Sequence, residues 1–423
     1  MVAVAPFRAL RFNRSVVGDL SAVLAPPYDV ISPADQDRLY NASPFNIIRL
    51  IYGREQPTDS ETSNRYTRAR QALGEWRRDG VLVRDEEPAI YVCEHGFSWN
   101  GRRVRRTGWI ALLQLEGSWP DQVLLHEATF DGPRADRAKL IESVRAHLSP
   151  VFAIVPDDDQ ELTRLLEEIT AGAPEATAQA PDIGRVGTEP EELRLWTVRD
   201  PRHIARFQRS MRPASVLIAD GHHRLAAAVS KRDLCPAVMT YFARRDDPGL
   251  IVRGYYRVIG FGPEAGQQWR IRLQDSCAIE PAAHHDDALR WLAAARGPGK
   301  FAVFGKGSSY QVSIKPEALT RWLNAPSVPA PLAPLDVSIL HQLLLSKALG
   351  STNGAAGQIR YTPDPAKALE LVEHEPDQWA WILRPVDLRE VFEIAGRKLT
   401  LPQKSTYFYP KVVSGIAINP FDD

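Results

Sequence analysis

Hydrophobic positions recur along this chain with periods that change from segment to segment, and the changes mark its elements. Between Glu61 and Asp79, Tyr66, Ala69, Leu73 and Trp76 fall at helical spacing among Arg and Glu, with Gly80 as a stop. That spacing predicts a helix. Ala89–Trp99 and Arg102–Leu115 are strand-like runs joined by Asn100-Gly101, the pair suited to a tight turn with two positive φ angles, so a hairpin is expected. From about residue 121 to 245 helices and strands alternate. Ala135–Leu148 reads as a helix with Leu140, Val144 and Leu148 on one stripe, Val151–Val155 as a buried strand and Glu161–Ile169 as a helix. Ala171–Pro190, rich in Ala, Pro, Gly and Thr, reads as a loop. Leu193–Val198 is then a strand, Pro201–Met211 a helix opened by its proline, and Val216–Ala219 a strand. Further on, Phe301–Phe304 and Tyr310–Ile314 suggest a hairpin, Leu335–Leu349 a helix ending at Gly350, and Trp379–Leu383 a buried strand.

The fold class expected from this pattern is α/β of a mixed, α+β kind. Three regions are expected: 1–120, α+β with the hairpin; 121–250, an alternating core; and 251–423, a C-terminal α+β domain. A chain of 423 residues is long enough for such a division.

Charge changes the picture little. Lys and Arg number 52, as do Asp and Glu, and this balance counts against a protein that holds nucleic acid by bulk electrostatics. Arg102, Arg103, Arg105 and Arg106 crowd one strand and read as a solvated edge that resists sheet pairing. Cys93, Cys235 and Cys277 are far apart and form no CxxC, which suits a reducing compartment better than a disulfide framework or zinc cage. No apolar run approaches the ~20 residues of a membrane span, and the first residues lack the pattern of a signal peptide. The expectation is a soluble, cytoplasmic protein without a membrane partner. Composition leaves the oligomeric state open, a homodimer being one option.

The sharpest chemical feature is the run from Val216 to Val229. Its apolar stretch stops at Asp220-Gly221, and helix-forming residues begin after His222. A strand, tight turn and helix present backbone N–H groups and the positive end of a helix dipole at the turn, which favours an anion. Gly221 permits the bend and a close ligand approach. His222, His223 and Arg224 add donors, and Arg suits phosphate. Asp220 could hold Mg²⁺ or accept a proton from an attacking hydroxyl. The plainer alternative is an Asp cap with two histidines packed on neighbours.

A second cluster is His126 and Glu127, followed by Asp136 and Arg137 at a helix start. His126 and Glu127 are adjacent, so on a strand they would face opposite ways, and their spacing is not that of HExxH. Glu127 is a candidate base or metal ligand; a polar strand end and a surface charge pair are the alternative. A third is Lys404-Ser405-Thr406 with Lys411, which could reach phosphates from a distant part of the chain. It is not a Walker loop, and Tyr407–Tyr409 beside it could be core. Gly260–Gly266 has the wrong spacing and a proline for a dinucleotide loop. His284–Asp287 reads as a solvated helix start.

Taken together, Ala25-Pro-Pro-Tyr-Asp-Val30, Asn46-Ile-Ile-Arg-Leu50, His126-Glu-Ala-Thr129, Ser149-Pro-Val-Phe152, Asp220-Gly-His-His-Arg224, Leu335–His341 and Pro402–Lys411 occur in the order seen in the DUF1015 proteins of bacteria and archaea, and the chain resembles that family over nearly its whole length. The Asp220–Arg224 string is also similar to the phosphate-binding corner of the ParB, sulfiredoxin and free serine kinase superfamily. The resemblance implies a ParB/sulfiredoxin-like nucleotide-binding core with added α+β regions. It implies a nucleotide (ATP or ADP, or CTP) with Mg²⁺, phosphates on Gly221, His222, His223 and Arg224, catalysis by Asp220 and His223, and Asp220 serving the metal or the acceptor hydroxyl. To these the residue reading adds Lys404, Ser405 and Thr406 as phosphate contacts and Glu127 as a second catalytic acid, for which no family motif stands. His126, Asp29, Arg49 and Arg137 are further candidates. The implied reaction is phosphoryl transfer to a small hydroxyl compound such as free serine; the alternative is a nucleotide-responsive module without turnover. One departure from the family pattern is Tyr256, where a His is expected.

Overall fold

Asn100 and Gly101 take φ angles of 50° and 72°, and the turn they make joins two strands that pair in antiparallel register from Tyr91 opposite Ile110 to Trp99 opposite Arg102. This is the expected hairpin, and a larger sheet grows on it. A computed structural model describes residues 1–116, 119–185, 189–260, 265–349, 359–375 and 377–421. They form two units, Met1–Ile251 together with Pro410–Asp423, and Val252–Tyr409.

In the first unit nine strands make one mixed sheet. They are β1 (Val4–Ala5), β2 (Ile90–Trp99), β3 (Arg102–Gln114), β4 (Val123–Leu124), β5 (Val151–Val155), β6 (Ala176–Gln179), β7 (Glu192–Val198), β8 (Val216–Asp220) and β9 (Ala237–Arg244). The order across the sheet is β4-β8-β5-β9-β3-β2-β7-β6, with β1 beside β3. β5 runs antiparallel to β8 and parallel to β9. Strands from 1–120 and from 121–250 therefore pair with one another, as β3 does with β9. The two regions set apart in the sequence reading share a sheet.

The helices that matter for the site are α1 (Pro33–Ala42), α2 (Ile48–Ile51), α3 (Arg65–Arg78), α4 (Asp131–Val144), α5 (Glu161–Thr170), α6 (Pro201–Met211) and α7 (His222–Ser230). On α3 the buried residues are Ala69, Leu73 and Trp76, the face that the spacing predicts. Trp109 of β3 anchors the core, stacked on Phe242 at 5.5 Å and tilted against Phe207 of α6 at 5.2 Å between ring centroids. Such apolar burial is the main stabilising term for a unit of this size.

Some expectations need correction. Ala171–Pro190 contains β6, whose small residues Ala176 and Ala178 alternate inward and pair with β7; alanine and threonine give too little hydrophobic contrast to announce a strand. α4 ends at Val144, with Arg145 left-handed at φ 54°, so Leu148 is not part of it. Arg106 is not on a solvated edge. It is 1% exposed, its Nε donates to the Tyr241 hydroxyl at 3.2 Å, an Nη donates to the Pro410 carbonyl, and its Cζ lies 4.8 Å from the Phe152 ring centroid. Arg102, Arg103 and Arg105 are exposed.

The second unit holds a six-stranded sheet built from β10 (Tyr256–Gly260), β11 (Cys277–Ala282), β12 (Lys300–Gly305), β13 (Ser308–Ile314), β14 (Ile359–Thr362) and β15 (Gln378–Ile382), in the order β11-β13-β12-β15-β10-β14. β12 and β13 are the expected hairpin. The helix expected over Leu335–Leu349 is irregular: Asp336–Ser338 and Ser346–Leu349 are α-helical and Ile339–Leu345 is a π-helix. Gly350 lies outside the described residues.

Candidate functional site

β8 runs Val216-Leu-Ile-Ala and is buried until Asp220. Its pairing with β5 shifts register between Ile218 and Asp220, a bulge of the kind that re-aims a side chain. Gly221 follows at φ 84° and caps α7 without a capping side chain. The conformation needs glycine twice over, since a Cβ here would also stand 2.8 Å from Arg224 Nε. The first N–H groups of α7 therefore open onto the turn.

Three charged side chains meet below it. Lys411 Nζ donates to Asp220 Oδ1 at 2.7 Å, and an Arg224 Nη donates to Asp220 Oδ2 at 2.6 Å. Another Arg224 Nη donates to the Pro150 carbonyl. The side chains of Lys411, Arg224 and Asp220 are only 8%, 10% and 14% exposed. Burial pushes the Asp220 carboxyl up, but the charges of Lys411 and Arg224 outweigh it and hold the carboxyl far below the usual range. Two cations thus face one anion in a place where desolvation is expensive, leaving a buried surplus of positive charge. Lys411 belongs to the third sequence cluster and carries this arrangement.

The histidines sit beside the triad. His222 is buried and packs edge-on against the fully buried His126, ring centroids 4.7 Å apart. Burial pushes His222 down to about 4 and His126 well below its ordinary value, so both are neutral near pH 7. His222 Nε2 and Arg224 Nε are buried with no hydrogen-bond partner, and such groups lower their free energy by gaining one. His223, half-buried, lies 5.9 Å from the Phe130 ring. Glu127 is half-buried next to His126.

Of the further candidates, Arg137 comes close. It donates to the Ile51 carbonyl at 2.7 Å, its Cζ lies 4.0 Å from the Tyr28 ring centroid, and it is buried rather than part of a surface pair. Tyr28, Arg137, His147, Ser149 and Arg224 line one pocket. Burial raises the Tyr28 hydroxyl to about 12, against the pull of Arg137 and Arg224. Tyr28 escaped the sequence reading, although it stands beside Asp29 in the Ala25–Val30 string; Asp29 itself is exposed. Arg49 goes elsewhere, over the ring of Tyr40. Lys404, Ser405 and Thr406 belong to the second unit, where Lys404 Nζ stands 5.2 Å from the Tyr255 ring centroid, its carbonyl accepts from Arg257, and Ser405 Oγ donates to the Pro402 carbonyl. Tyr256 starts β10 in that unit. Residues 261–264 of the glycine run lie outside the described residues.

A magnesium ion does not fit Asp220 as it is placed. Both carboxylate oxygens are held by cations, and among the described residues no group of three or more His, Cys, Asp or Glu side chains could hold a metal ion. No helix among them is long and apolar enough to cross a membrane.

Sheet, turn and charge define a mixed α/β protein with a strand–glycine–helix corner that carries buried positive charge. A family model described as a protein of unknown function, DUF1015, matches residues 4–338. The chain belongs to the DUF1015 family. No curated protein matches it. Among solved structures it is similar to a free serine kinase variant in complex with AMP, at 15% identity and TM-score 0.36 over 71% of this chain and 86% of that one. The same kinase variant in complex with ADP gives 14% and 0.37, over 71% and 87%. A conserved hypothetical protein from Pyrococcus furiosus gives 13% and 0.35, over 73% and 95%.

Proposed function

We propose that the first unit binds a nucleotide by its phosphates at the Asp220–Arg224 corner. The observation that carries this reading is the buried surplus of cations: Lys411 and Arg224 share the single carboxylate of Asp220 at the uncapped start of α7. A phosphate would supply the missing negative charge, accept from the N–H groups of the helix start, and give His222 Nε2 and Arg224 Nε partners. The resemblance of the Asp220–Arg224 string to a phosphate-binding corner supports the same ligand class. The turn addresses phosphates and not bases, so the proposal covers ATP, ADP and CTP alike.

The reaction that extends this reading is phosphoryl transfer to a small hydroxyl compound such as free serine. Positioning and electrostatic stabilisation dominate such chemistry. Arg224, Lys411 and His223 would offset charge on the transferring group. Glu127 is the acid proposed to orient the hydroxyl, because Asp220 is engaged by its two cations. The proposal assigns no metal to Asp220. That same engagement favours a second reading, a nucleotide-responsive binding module without turnover.

Phosphorus NMR of the protein with ATP, ADP or CTP, with and without free serine and other small hydroxyl compounds, separates the two. A new phosphomonoester signal that needs the acceptor establishes a kinase. Saturable nucleotide binding with unchanged spectra leaves the binding module. Absence of binding by all three nucleotides overturns both.

A further inference from the structure

Away from the corner, α1, α2 and the start of α3 enclose a pocket of about 360 Å³ whose charged lining consists of arginines alone: Arg49, Arg54, Arg65 and Arg68, grouped with Tyr40 and Gln56. No Asp or Glu lines it among the described residues. The acids that pair with these arginines stand outside the lining. Asp37 holds Arg54, Asp59 holds Arg68, and Glu55 and Asp136 hold Arg65, while Asp136 is shared with Arg137. Those contacts are made by the guanidinium Nη atoms and offset the charges of Arg54, Arg65 and Arg68 from outside the lining, so the uncompensated charge at the pocket is that of Arg49.

Tyr40 organises the pocket. The Cζ atoms of Arg49 and Arg54 lie 4.4 and 4.2 Å from its ring centroid, its carbonyl accepts from an Arg49 Nη at 2.9 Å, and its hydroxyl accepts from the backbone N–H of Arg54 at 3.0 Å. Arg68 donates to the Arg54 carbonyl at 2.8 Å. Arg49 has no acidic partner among the described residues, and its Nε is buried without a hydrogen bond. Arginines held this close repel one another unless an anion lies between them.

We propose that this pocket is a second anion site, built for a small molecule that carries a phosphate group. Arg49 brings a charge with no acid against it and a buried Nε to be satisfied, and the donors of Arg54 that Asp37 does not hold lie over the same Tyr40 ring, so a phosphate group would supply both the charge and the acceptor oxygens. The concave shape suits a small molecule rather than a nucleic-acid backbone, and the chain as a whole carries no basic surplus, with 52 Lys and Arg against 52 Asp and Glu. The inference does not depend on the corner, with which the pocket shares no lining arginine.

The test is calorimetric titration of the full chain with sodium pyrophosphate, in the wild type and in Arg224→Ala, which disables the corner. The expected result is a saturable event that survives Arg224→Ala, weakens as salt rises, and loses about tenfold or more in affinity on Arg49→Ala and on Arg54→Ala. Arg54 is exposed, so Arg54→Ala tests the pocket without disturbing a core residue. The proposal is overturned if Arg54→Ala leaves pyrophosphate affinity unchanged in both backgrounds, or if citrate binds there more tightly than pyrophosphate.

Discussion

Lys411 Nζ and Asp220 Oδ1 are 2.7 Å apart across 191 residues of sequence. The contact brings the third charge to a corner that otherwise holds a balanced Asp220–Arg224 pair, and it turns that pair into a net cationic site. Removing the carboxylate should therefore be costly. Asp220→Asn leaves two buried cations facing each other, and loss of about 3–5 kcal/mol of stability is expected. Urea unfolding checks this. Added phosphate should restore more stability to the variant than to the wild type, and Lys411→Met placed on Asp220→Asn should recover part of the loss. Equal midpoints for wild type and Asp220→Asn would contradict the triad.

The turn makes a second demand. With Gly221 at φ 84° and a Cβ position 2.8 Å from Arg224 Nε, Gly221→Ala has to pay for a left-handed alanine and displace a guanidinium. A loss of about 1–3 kcal/mol is expected from the backbone alone, together with loss of nucleotide binding in the protein that remains folded. Thermal unfolding and calorimetry at a temperature where both proteins are folded test the two parts separately.

His222 sets a pH dependence. Its folded value is pushed down to about 4 by burial, whereas in the unfolded chain it titrates near about 6.5. Between those values the unfolded state holds more protons, so stability falls as pH drops through that window. The contribution lost between pH 7 and pH 4.5 is roughly 2–3 kcal/mol. His222→Gln should reduce the loss of stability over that interval, measured by urea unfolding at both pH values, while buried His126 keeps its own share of the slope. An unchanged slope would mean that His222 is not titrating from a buried, neutral state.

Glu127 separates chemistry from binding. If phosphoryl transfer takes place, Glu127→Gln should abolish the phosphomonoester signal and leave nucleotide affinity within about twofold, because the amide keeps the shape and removes the basic oxygen. Loss of both together would assign Glu127 to binding instead.

How much of this was legible differs from residue to residue. The corner was, because an apolar strand, a glycine and a helix start are local signals carried by consecutive residues. The hairpin at Asn100-Gly101 was too, since its turn chemistry sits in two positions. Arg106 was misread because a run of arginines looks solvated in one dimension; only the sheet shows that this one points at Tyr241 and Phe152 while its neighbours face water. Arg49 resembled a partner of the corner in its motif, but the chain folds it over Tyr40. The engagement of Asp220 by Lys411 was hidden for a different reason. A salt bridge has no periodicity, and nothing within either segment announces the other.

The first unit is discontinuous, its Pro410–Asp423 segment following the whole of Val252–Tyr409. During synthesis Asp220 thus leaves the ribosome long before Lys411. At the usual pace of translation the interval of 191 residues lasts roughly 10–40 s. Throughout it, the nascent corner has Arg224 but not the second cation. A chain that stalls within Val252–Tyr409 retains the whole Asp220–Arg224 string and still lacks the second cation on which the proposed phosphate site rests. On the proposed reading, phosphate affinity at this corner would rise only once Lys411 has joined it, and chains that stop short of Lys411 would compete weakly for the ligand.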